Sequence, residues 1–352
     1  MDINKLLALA ISRGASDLHL ITDSPPILRI NSSLVFIADE GDLTHEAIEA
    51  HLERVMTSEQ LEIFRSNKEI DFSLTFSDEA RFRVNAYTQK RTWAAEFRVI
   101  PLEIPTIEEL GLPNIVRKFT TLRQGFVLVT GPTGHGKSTT LASVLNEINS
   151  TRQAHIVTIE DPIEFIFNRR QSIISQREMG LDTHSWSVAL RSVLREDPDV
   201  VLIGEMRDYE TIAAALTIAE TGHLVFATLH TNSASQTIDR IVDVFPREQQ
   251  DQVKLQLSNV LEAVFSQRLI PAETGDRVVA HEVMTASTAV RTSVREGKTH
   301  QIDSIIQTSR EADMNLLEDS LANLVKQGKV SPAMAMAYAI RPDQLSRLLR
   351  GE

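Results

Sequence analysis

A glycine-rich loop between a strand-like and a helix-like stretch sets the tightest limit on how this chain folds. Residues 131–139 read GPTGHGKST and match the pattern GxxxxGK[ST], with FVLVT before them and a helix-like run from Thr139 after them. Glycines in this setting let backbone N–H groups curl around phosphate oxygens at a helix N-terminus. The pattern predicts a nucleotide-binding loop made of Gly131, Pro132, Thr133, Gly134, His135, Gly136, Lys137, Ser138 and Thr139.

The side chains of Lys137, Ser138 and His135 indicate what each of these loop residues does. Lys137 is expected to bring a positive charge to the β- and γ-phosphates, and Ser138 to offer its hydroxyl to Mg²⁺. His135 stands at a variable position of the pattern and is not expected to be catalytic. The predicted cofactors are therefore ATP and Mg²⁺.

Two apolar segments downstream of the loop end in acidic residues. One runs from Ile156 to Glu160 and continues through Glu164, and the other runs from Val200 to Glu205 with Gly204 where many P-loop enzymes carry an aspartate. Hydrolysis of a phosphoanhydride needs a carboxylate that orients water. We assign Glu205 as the catalytic carboxylate. Glu160 and Glu164 are candidates for positioning Mg²⁺ or water, and Glu160 and Glu205 are expected to reach the metal through water.

Histidine and arginine side chains complete the candidate set. His230 ends an apolar strand at the sheet edge expected to hold Glu205, whereas His223 lies at the start of that strand. Positive charge for the transition state commonly comes from arginines of another domain or subunit. Strand alternation places Arg81 and Arg83 on one face, and Arg98 follows on the next strand; a solvated sheet face explains the same pattern. Three further arginines are structural or nucleotide-linked candidates, Arg191, Arg195 and Arg207.

The order of predicted elements indicates an α/β protein of two domains. Residues 1–100 read as a small α/β domain, with one helix predicted over 44–64 and Thr44 as its N-cap. Residues 101–113 hold three prolines and are the predicted linker. From residue 114 to 352, short apolar strands alternate with helices, which predicts a mostly parallel sheet, followed by a helical region over about 289–352.

Composition excludes several classes of protein. The chain has 352 residues, no cysteine and a formal net charge of −12, which rules out disulfide scaffolds, cysteine zinc ribbons and thiol nucleophiles. It has no basic stripe, so no nucleic-acid partner is expected. It also lacks a run of the roughly 18–20 apolar residues that a membrane span needs. We expect a cytoplasmic protein without direct membrane insertion.

The motifs, in order along almost the whole chain, resemble those of the type IV pilus retraction ATPases, within the type II/IV secretion ATPase superfamily. The matching segments are SDLHL at 16–20, RFRVN at 81–85, the loop at 131–140, TIEDPIEF at 158–165, REDPDVVLIGEMRD at 195–208 and TGHLVFATLHTNSA at 221–234. The resemblance implies a PAS-like N-terminal domain, a RecA-like ATPase domain and a homohexameric motor that powers pilus retraction and twitching motility. Glu205 would be the catalytic glutamate, His230 would sense the nucleotide, and Arg81, Arg83 and Arg98 would reach the γ-phosphate. The implied partners are an inner-membrane pilus platform protein, at the inner face of the cytoplasmic membrane, and a paralogous retraction ATPase.

Two departures from the family pattern keep alternatives open. The family's AIRNL segment appears as AVRTS at Ala289–Ser293, and a turn that often carries Asp-Gly is Asn31-Ser32. An accessory retraction ATPase therefore remains an alternative. A pilus assembly or type II secretion ATPase is another, although such relatives often carry a tetracysteine zinc module. From a different class, a nucleotide-gated scaffold without significant turnover also fits, whereas a nucleic-acid translocase is disfavoured by the charge distribution.

Overall fold

A computed structural model describes residues 2–30, 33–76, 80–100, 103–309 and 313–351. The chain divides by its internal contacts into two units, one formed by Met1–Glu103 with Pro162–Ile166 and the other by Ile104–Asp161 with Phe167–Glu352. The Asn31-Ser32 turn, and residues 101–102 of the predicted linker, lie outside the described residues.

The first unit is a six-stranded antiparallel sheet with helices packed against it. Its strand order is β3-β2-β1-β6-β5-β4. Alternating burial along Ala80–Gln89 places Phe82, Val84 and Ala86 in the core and leaves the side chains between them half-buried, as the sequence predicts. The elements are α1 (Ile3–Ser12), β1 (Asp17–Leu20), β2 (Ile27–Ile30), β3 (Ser33–Phe36), α2 (His45–Val55), α3 (Ser58–Asn67), β4 (Glu69–Phe76), β5 (Ala80–Gln89) and β6 (Thr92–Ile100), with a 3₁₀ turn at Ala38–Glu40.

The prediction of one helix over 44–64 is wrong, because the chain forms two helices there. Thr44 does cap the first, accepting from the backbone N–H of Ala47. The second helix has its own capping box: Thr57 accepts from the N–H of Gln60, and the Gln60 side chain accepts from the N–H of Thr57. A capping box satisfies two helix-start donors at once, so it favours a new helix over continuation of the old one.

The second unit is built on a seven-stranded sheet in the order β13-β12-β7-β11-β10-β8-β9. All neighbouring strands are parallel except the edge pair of β12 and β13. The predicted α/β class and the mostly parallel sheet are thus confirmed. The elements are α4 (Asn114–Phe119), β7 (Gly125–Thr130), α5 (Lys137–Thr151), β8 (His155–Glu160), β9 (Ile173–Glu178), α6 (Trp186–Val193), β10 (Val200–Ile203), α7 (Tyr209–Glu220), β11 (Leu224–Leu229), α8 (Ala234–Asp243), α9 (Arg247–Val260), β12 (Leu261–Pro271) and β13 (Arg277–Thr285).

Helices follow β13 to the end of the described chain. They are α10 (Thr288–Arg295), α11 (Ile302–Thr308), α12 (Leu317–Lys326), α13 (Pro332–Tyr338) and α14 (Pro342–Arg350), with a 3₁₀ turn at Thr299–Gln301. The AVRTS segment lies in α10, where Arg291 donates to Glu262 at 2.8 Å and to the carbonyls of Ser258 and Asn259. Arg291 therefore fixes α10 to the junction of α9 and β12.

One arginine and three carboxylates join these helices to the sheet. Arg341 contacts Glu318 at 3.0 Å, Glu282 at 3.5 Å and also Asp303. Glu282 and Glu318 are fully buried, and the other oxygen of Glu282 accepts from the N–H of Ala234 at the start of α8. Burial outweighs the Ala234 hydrogen bond and the charge of Arg341 and raises the pKa of Glu282 to about 7.

Candidate nucleotide-binding site

The glycine-rich loop leaves the end of β7, between β11 and β12, and runs directly into α5. Gly134 and Gly136 have φ of 76° and 81°, in the left-handed region that favours glycine. Gly136 is the N-cap of α5, so no side chain caps the first turn of this helix. The first-turn N–H groups are thereby left to a ligand, and a helix N-terminus with unsatisfied donors suits an anion such as phosphate.

Strand β12 holds the loop from one side, which the sequence did not reveal. A Cβ on Gly131 would lie 2.3 Å from the carbonyl oxygen of Gln267, so only glycine fits there. The Gln267 side-chain amide donates to the carbonyl of His135, and the backbone N–H of Leu269 donates to His135 Nδ1. His135 is thus a tether between loop and strand, and burial is the main cause that lowers its pKa.

Lys137, the first residue of α5, is turned into the loop. It is only 9% exposed, and its Nζ donates to the carbonyls of Gly131 at 2.8 Å and Pro132 at 3.0 Å. The same Nζ lies 3.4 Å from His230 Nδ1. A lysine ammonium can only donate, so Nδ1 is the acceptor and His230 carries its proton on Nε2.

The carboxylate of Glu205, which follows β10, accepts a hydrogen bond from that N–H. His230 Nε2 lies 2.8 Å from one carboxylate oxygen, and Arg207 lies 2.7 Å from the other. Burial acts to raise the pKa of Glu205, but the hydrogen bond and charge of Arg207, together with His230, leave it below its usual value. A continuous set of contacts therefore joins the loop lysine, His230 and an ionised Glu205.

Gly204 has a steric reason to be glycine. A Cβ at this position would lie 3.2 Å from Glu160 Cα and 3.2 Å from the carbonyl of Ile159, in the neighbouring strand β8. Its N–H donates to that same carbonyl at 2.8 Å, and its own carbonyl accepts from Thr228 Oγ1. The ends of β8, β10 and β11 are drawn together here, and an aspartate would not fit without moving one of them.

The two other predicted acids are placed differently. Glu160 ends β8, is buried, and accepts from Thr158 Oγ1 at 2.7 Å and from Gln176 at 3.4 Å. Glu164 lies in Pro162–Ile166, the segment that groups with the first unit. No group of three or more histidine and acidic side chains is arranged to hold a metal ion among the residues the structure describes.

Of the remaining predicted residues, Arg207 alone is described in contact with Glu205, and the others make contacts of their own. The His223 ring contacts Thr221 and the carbonyl of Ile218, so it is tied to the end of α7. Arg83 and Arg98 are cross-strand neighbours, and Arg81 is opposite Ile100. Arg98 donates to Asp17 and Glu96, both at 2.9 Å, and Arg83 lies 4.0 Å from Asp71. Of the three arginines left open near Glu205, Arg207 contacts it, while Arg191 donates to the carbonyl of Ser187 in its own helix.

These residues fit a nucleoside triphosphate with Mg²⁺. The uncapped helix start and Lys137 suit the phosphates, and the half-buried Ser138 hydroxyl lies next to Lys137 at the start of α5. Glu160 and Glu205 supply oxygen ligands of the kind that Mg²⁺ takes through water. Together with a carboxylate held by His230, this arrangement is chemically equipped for phosphoanhydride hydrolysis.

Comparison with known proteins shows the family of the chain. The family profile described as "Type II/IV secretion system protein" matches residues 1–338. The chain is 48% identical to the type IV pilus retraction ATPase PilT of Pseudomonas aeruginosa, over 97% of this chain and 99% of that protein. It is 36% identical to the type IV pilus ATPase PilU of the same organism, over 99% of this chain and 92% of that protein. A crystal structure of the pilus retraction motor PilT with bound ADP matches with a TM-score of 0.93 and 45% identity, covering 99% of each chain.

Proposed function

The chain belongs to the type II/IV secretion system protein family, and we propose on that basis that it is an ATP-hydrolysing motor that powers type IV pilus retraction and twitching motility. The identity to PilT over nearly the whole chain supports this function, as does the fold match to a PilT crystal structure with ADP. The identity to PilU is lower over the same span, which favours a retraction motor over an accessory one.

The loop and the start of α5 bind the nucleotide phosphates in this proposal. The loop N–H groups donate hydrogen bonds to the phosphate oxygens, and Lys137 turns its ammonium from the loop carbonyls toward the same oxygens. When bound, Mg²⁺ supplies charge neutralisation to the β- and γ-phosphates. Ser138, with Glu160 and Glu205 through water, would hold the metal.

Glu205 orients the attacking water and takes its proton. The carboxylate is ionised at neutral pH because Arg207 and His230 stabilise its charge. Arg207 is the more exposed partner, with 76% of its side chain accessible, and is therefore the one that can leave to admit water. His230 stays between Lys137 and Glu205 and so couples the loop to the carboxylate, which suits a nucleotide-sensing role.

Arg81, Arg83 and Arg98 supply the remaining positive charge in the proposed mechanism. Arg81 and Arg83 lie on β5, and Arg98 lies on β6. An arginine brought to the γ-phosphate from another domain or subunit accelerates hydrolysis by about 10³–10⁵-fold. We propose a homohexamer, in which domain or subunit closure on ATP completes each site and converts hydrolysis into movement. Glu164 remains a candidate for positioning water.

The proposed partners are a pilus platform protein of the inner membrane and a paralogous retraction ATPase. Within the described chain, no helix is both long and apolar enough to cross a membrane. On the similarity to a pilus retraction ATPase, we propose a cytoplasmic protein held at the membrane through the pilus machinery.

The observation that carries the proposal is the contact of Glu205 with His230 beside the loop lysine. Glu205→Gln keeps the shape of the side chain but removes the carboxylate. We expect nucleotide affinity to persist and steady-state phosphate release to fall by about 10²–10⁴-fold, as for loss of a general base. Glu196→Gln is the matched control, since Glu196 is similarly exposed and paired with an arginine, Arg177. Wild-type turnover in the Glu205 variant would reject the assignment.

A nucleotide-gated scaffold is separated from a motor by the same assay. Steady phosphate release by the wild-type protein rejects the scaffold. Restoration of twitching in a retraction-deficient strain, together with loss of excess surface pili, then tests retraction itself.

A further inference from the structure

Strand β12 continues past the end of β7, still paired with β13, and runs beside the nucleotide-binding loop. Its parallel pairing with β7 ends at Ser266 opposite Thr130, whose hydroxyls are 2.7 Å apart. The next residue, Gln267, is 1% exposed and stays paired with His281 of β13, while its side chain reaches the loop on the side where β7 has ended. The loop is therefore fixed by side-chain and backbone contacts that are not part of a regular ladder.

The amide of Gln267 joins the two sides of the loop. Its Nε2 donates to the carbonyl of His135 at 2.7 Å, and its Oε1 accepts from the hydroxyl of Thr140 at 2.8 Å. The carbonyl of His135 can only accept, so the amide nitrogen must face it, and the Thr140 hydroxyl fixes the opposite end. Both polar atoms of this buried amide are thereby satisfied in one orientation only.

That orientation decides where one loop N–H points. The carbonyl of His135 and the N–H of Gly136 belong to the same trans peptide, in which the two groups point in opposite directions. With the carbonyl held against Gln267, the N–H of Gly136 points away from that side chain. Gly136 has a φ of 81° and no Cβ, so without this hold the peptide is free to rotate and present its carbonyl to the phosphates.

We propose that Gln267 is a positioning residue that locks the His135–Gly136 peptide with its N–H toward the bound phosphates. This proposal depends on one part of the proposed function, which is that the loop binds a nucleotide. The backbone N–H of Leu269, donating to His135 Nδ1 at 3.0 Å, supports the same loop residue from the same strand. A flipped peptide replaces a donor by an acceptor facing negative oxygens, so the lock acts on phosphate affinity.

Gln267→Leu removes both hydrogen bonds and tests the lock by titration with ADP. We expect the Kd for ADP to rise by roughly 10–100-fold, because the phosphates lose the hydrogen bond from the N–H of Gly136, and a hydrogen bond to a charged group contributes about this much to affinity. In steady state, KM for ATP should rise by more than kcat falls. Ser266→Ala is the matched control, because it removes a buried hydrogen bond from the neighbouring residue of β12 without touching the His135 carbonyl, and it should keep wild-type ADP affinity.

Gln267→Glu gives a readout that a merely structural role would not move. A protonated glutamic acid donates to the His135 carbonyl, whereas an ionised one repels it. ADP affinity relative to wild type should therefore be nearly normal at pH 5.5 and fall as the pH rises to 8. This variant also serves if the leucine variant does not fold.

Two results would overturn the lock. One is a Gln267→Leu protein that binds ADP as tightly as Ser266→Ala does, and the other is a Gln267→Glu protein whose relative affinity does not change with pH. Failure of the proposed function looks different, because a wild-type protein that binds ADP through this lock but releases no phosphate contradicts only the motor.

Discussion

Replacing Glu282 by glutamine is expected to stabilise the protein at pH 8, although the change removes an ion pair with Arg341. Glu282 is fully buried, and its contact to Arg341 is 3.5 Å, longer than the 3.0 Å contact that Glu318 makes. Asp303 also pairs with this arginine, so three carboxylates face one guanidinium. Glutamine keeps an oxygen for the N–H of Ala234 and imitates the protonated form of Glu282.

The size of the effect follows from the raised pKa. Burial places the pKa of Glu282 at about 7 in the fold, above the 4.5 of an exposed glutamate. The folded state therefore holds a proton that the unfolded state has released, and stability is lost as the pH rises through these two values. Between pH 5 and pH 8 the cost of ionising Glu282 grows by roughly 2–3 kcal/mol.

Thermal unfolding of wild type and Glu282→Gln at both pH values measures this cost. The two proteins should melt alike at pH 5, and at pH 8 the variant should melt about 4–12 °C higher, given the size of the second unit. Taking the difference between the proteins cancels the other groups that titrate in this range. Glu318→Gln is the control with the opposite sign, because Glu318 accepts from Arg341 and from the N–H groups of Ile340 and Arg341. A Glu282→Gln protein that melts at or below the wild-type temperature at pH 8 would refute the reasoning.

Three further changes have defined outcomes. Gly131→Ala brings a Cβ to 2.3 Å from a backbone oxygen and should lower ADP affinity at least about tenfold by displacing the loop, which an ADP titration measures; unchanged affinity would show that β12 yields. Arg207→Ala removes the main interaction that lowers the pKa of Glu205, so the acid limb of the kcat/KM profile should move to higher pH, and an unmoved limb would place its origin elsewhere. Thr57→Ala removes the capping box of α3 and should cost about 1 kcal/mol in urea unfolding with no change in nucleotide affinity, whereas weaker ADP binding would argue against a local effect.

The strands that carry the site could be predicted because they are buried and short. Val200–Ile203 is apolar throughout and buried, as expected for a central parallel strand, and it begins where the predicted apolar segment begins. Two edge strands, β3 and β9, escaped prediction. All four residues of β3 are exposed, and β9 has an exposed isoleucine at its start. Neither strand therefore has a buried apolar face, which is the feature that strand prediction from sequence depends on.

Strand β12 escaped prediction for a different reason. It begins with Leu261, Glu262 and Ala263 directly after α9, and these residue types favour helices at least as well as strands. Its pairing with β7 decides its conformation, and that partner lies far away in the sequence. Local propensity is overridden by tertiary context here.

The candidate site divides in the same way. The loop, Glu205 and His230 could be expected at one sheet edge from strand order alone, and the structure brings Lys137, His230 and Glu205 into contact. Their catalytic roles stay predictions. Gln267 carries no motif, and only the three-dimensional contact with His135 reveals it.

The sequence distance between the loop and β12 has a consequence for synthesis of the chain. Thr140 and Gln267 are 127 residues apart, and His135 and Gln267 are 132 apart. At translation rates of about 5–20 residues per second, a nascent chain carries its glycine-rich loop for roughly 6–26 s before the strand that orders it has been made. Nucleotide therefore meets a loop held by β12 only after the chain has been made through Gln267, and it cannot stabilise this arrangement before then.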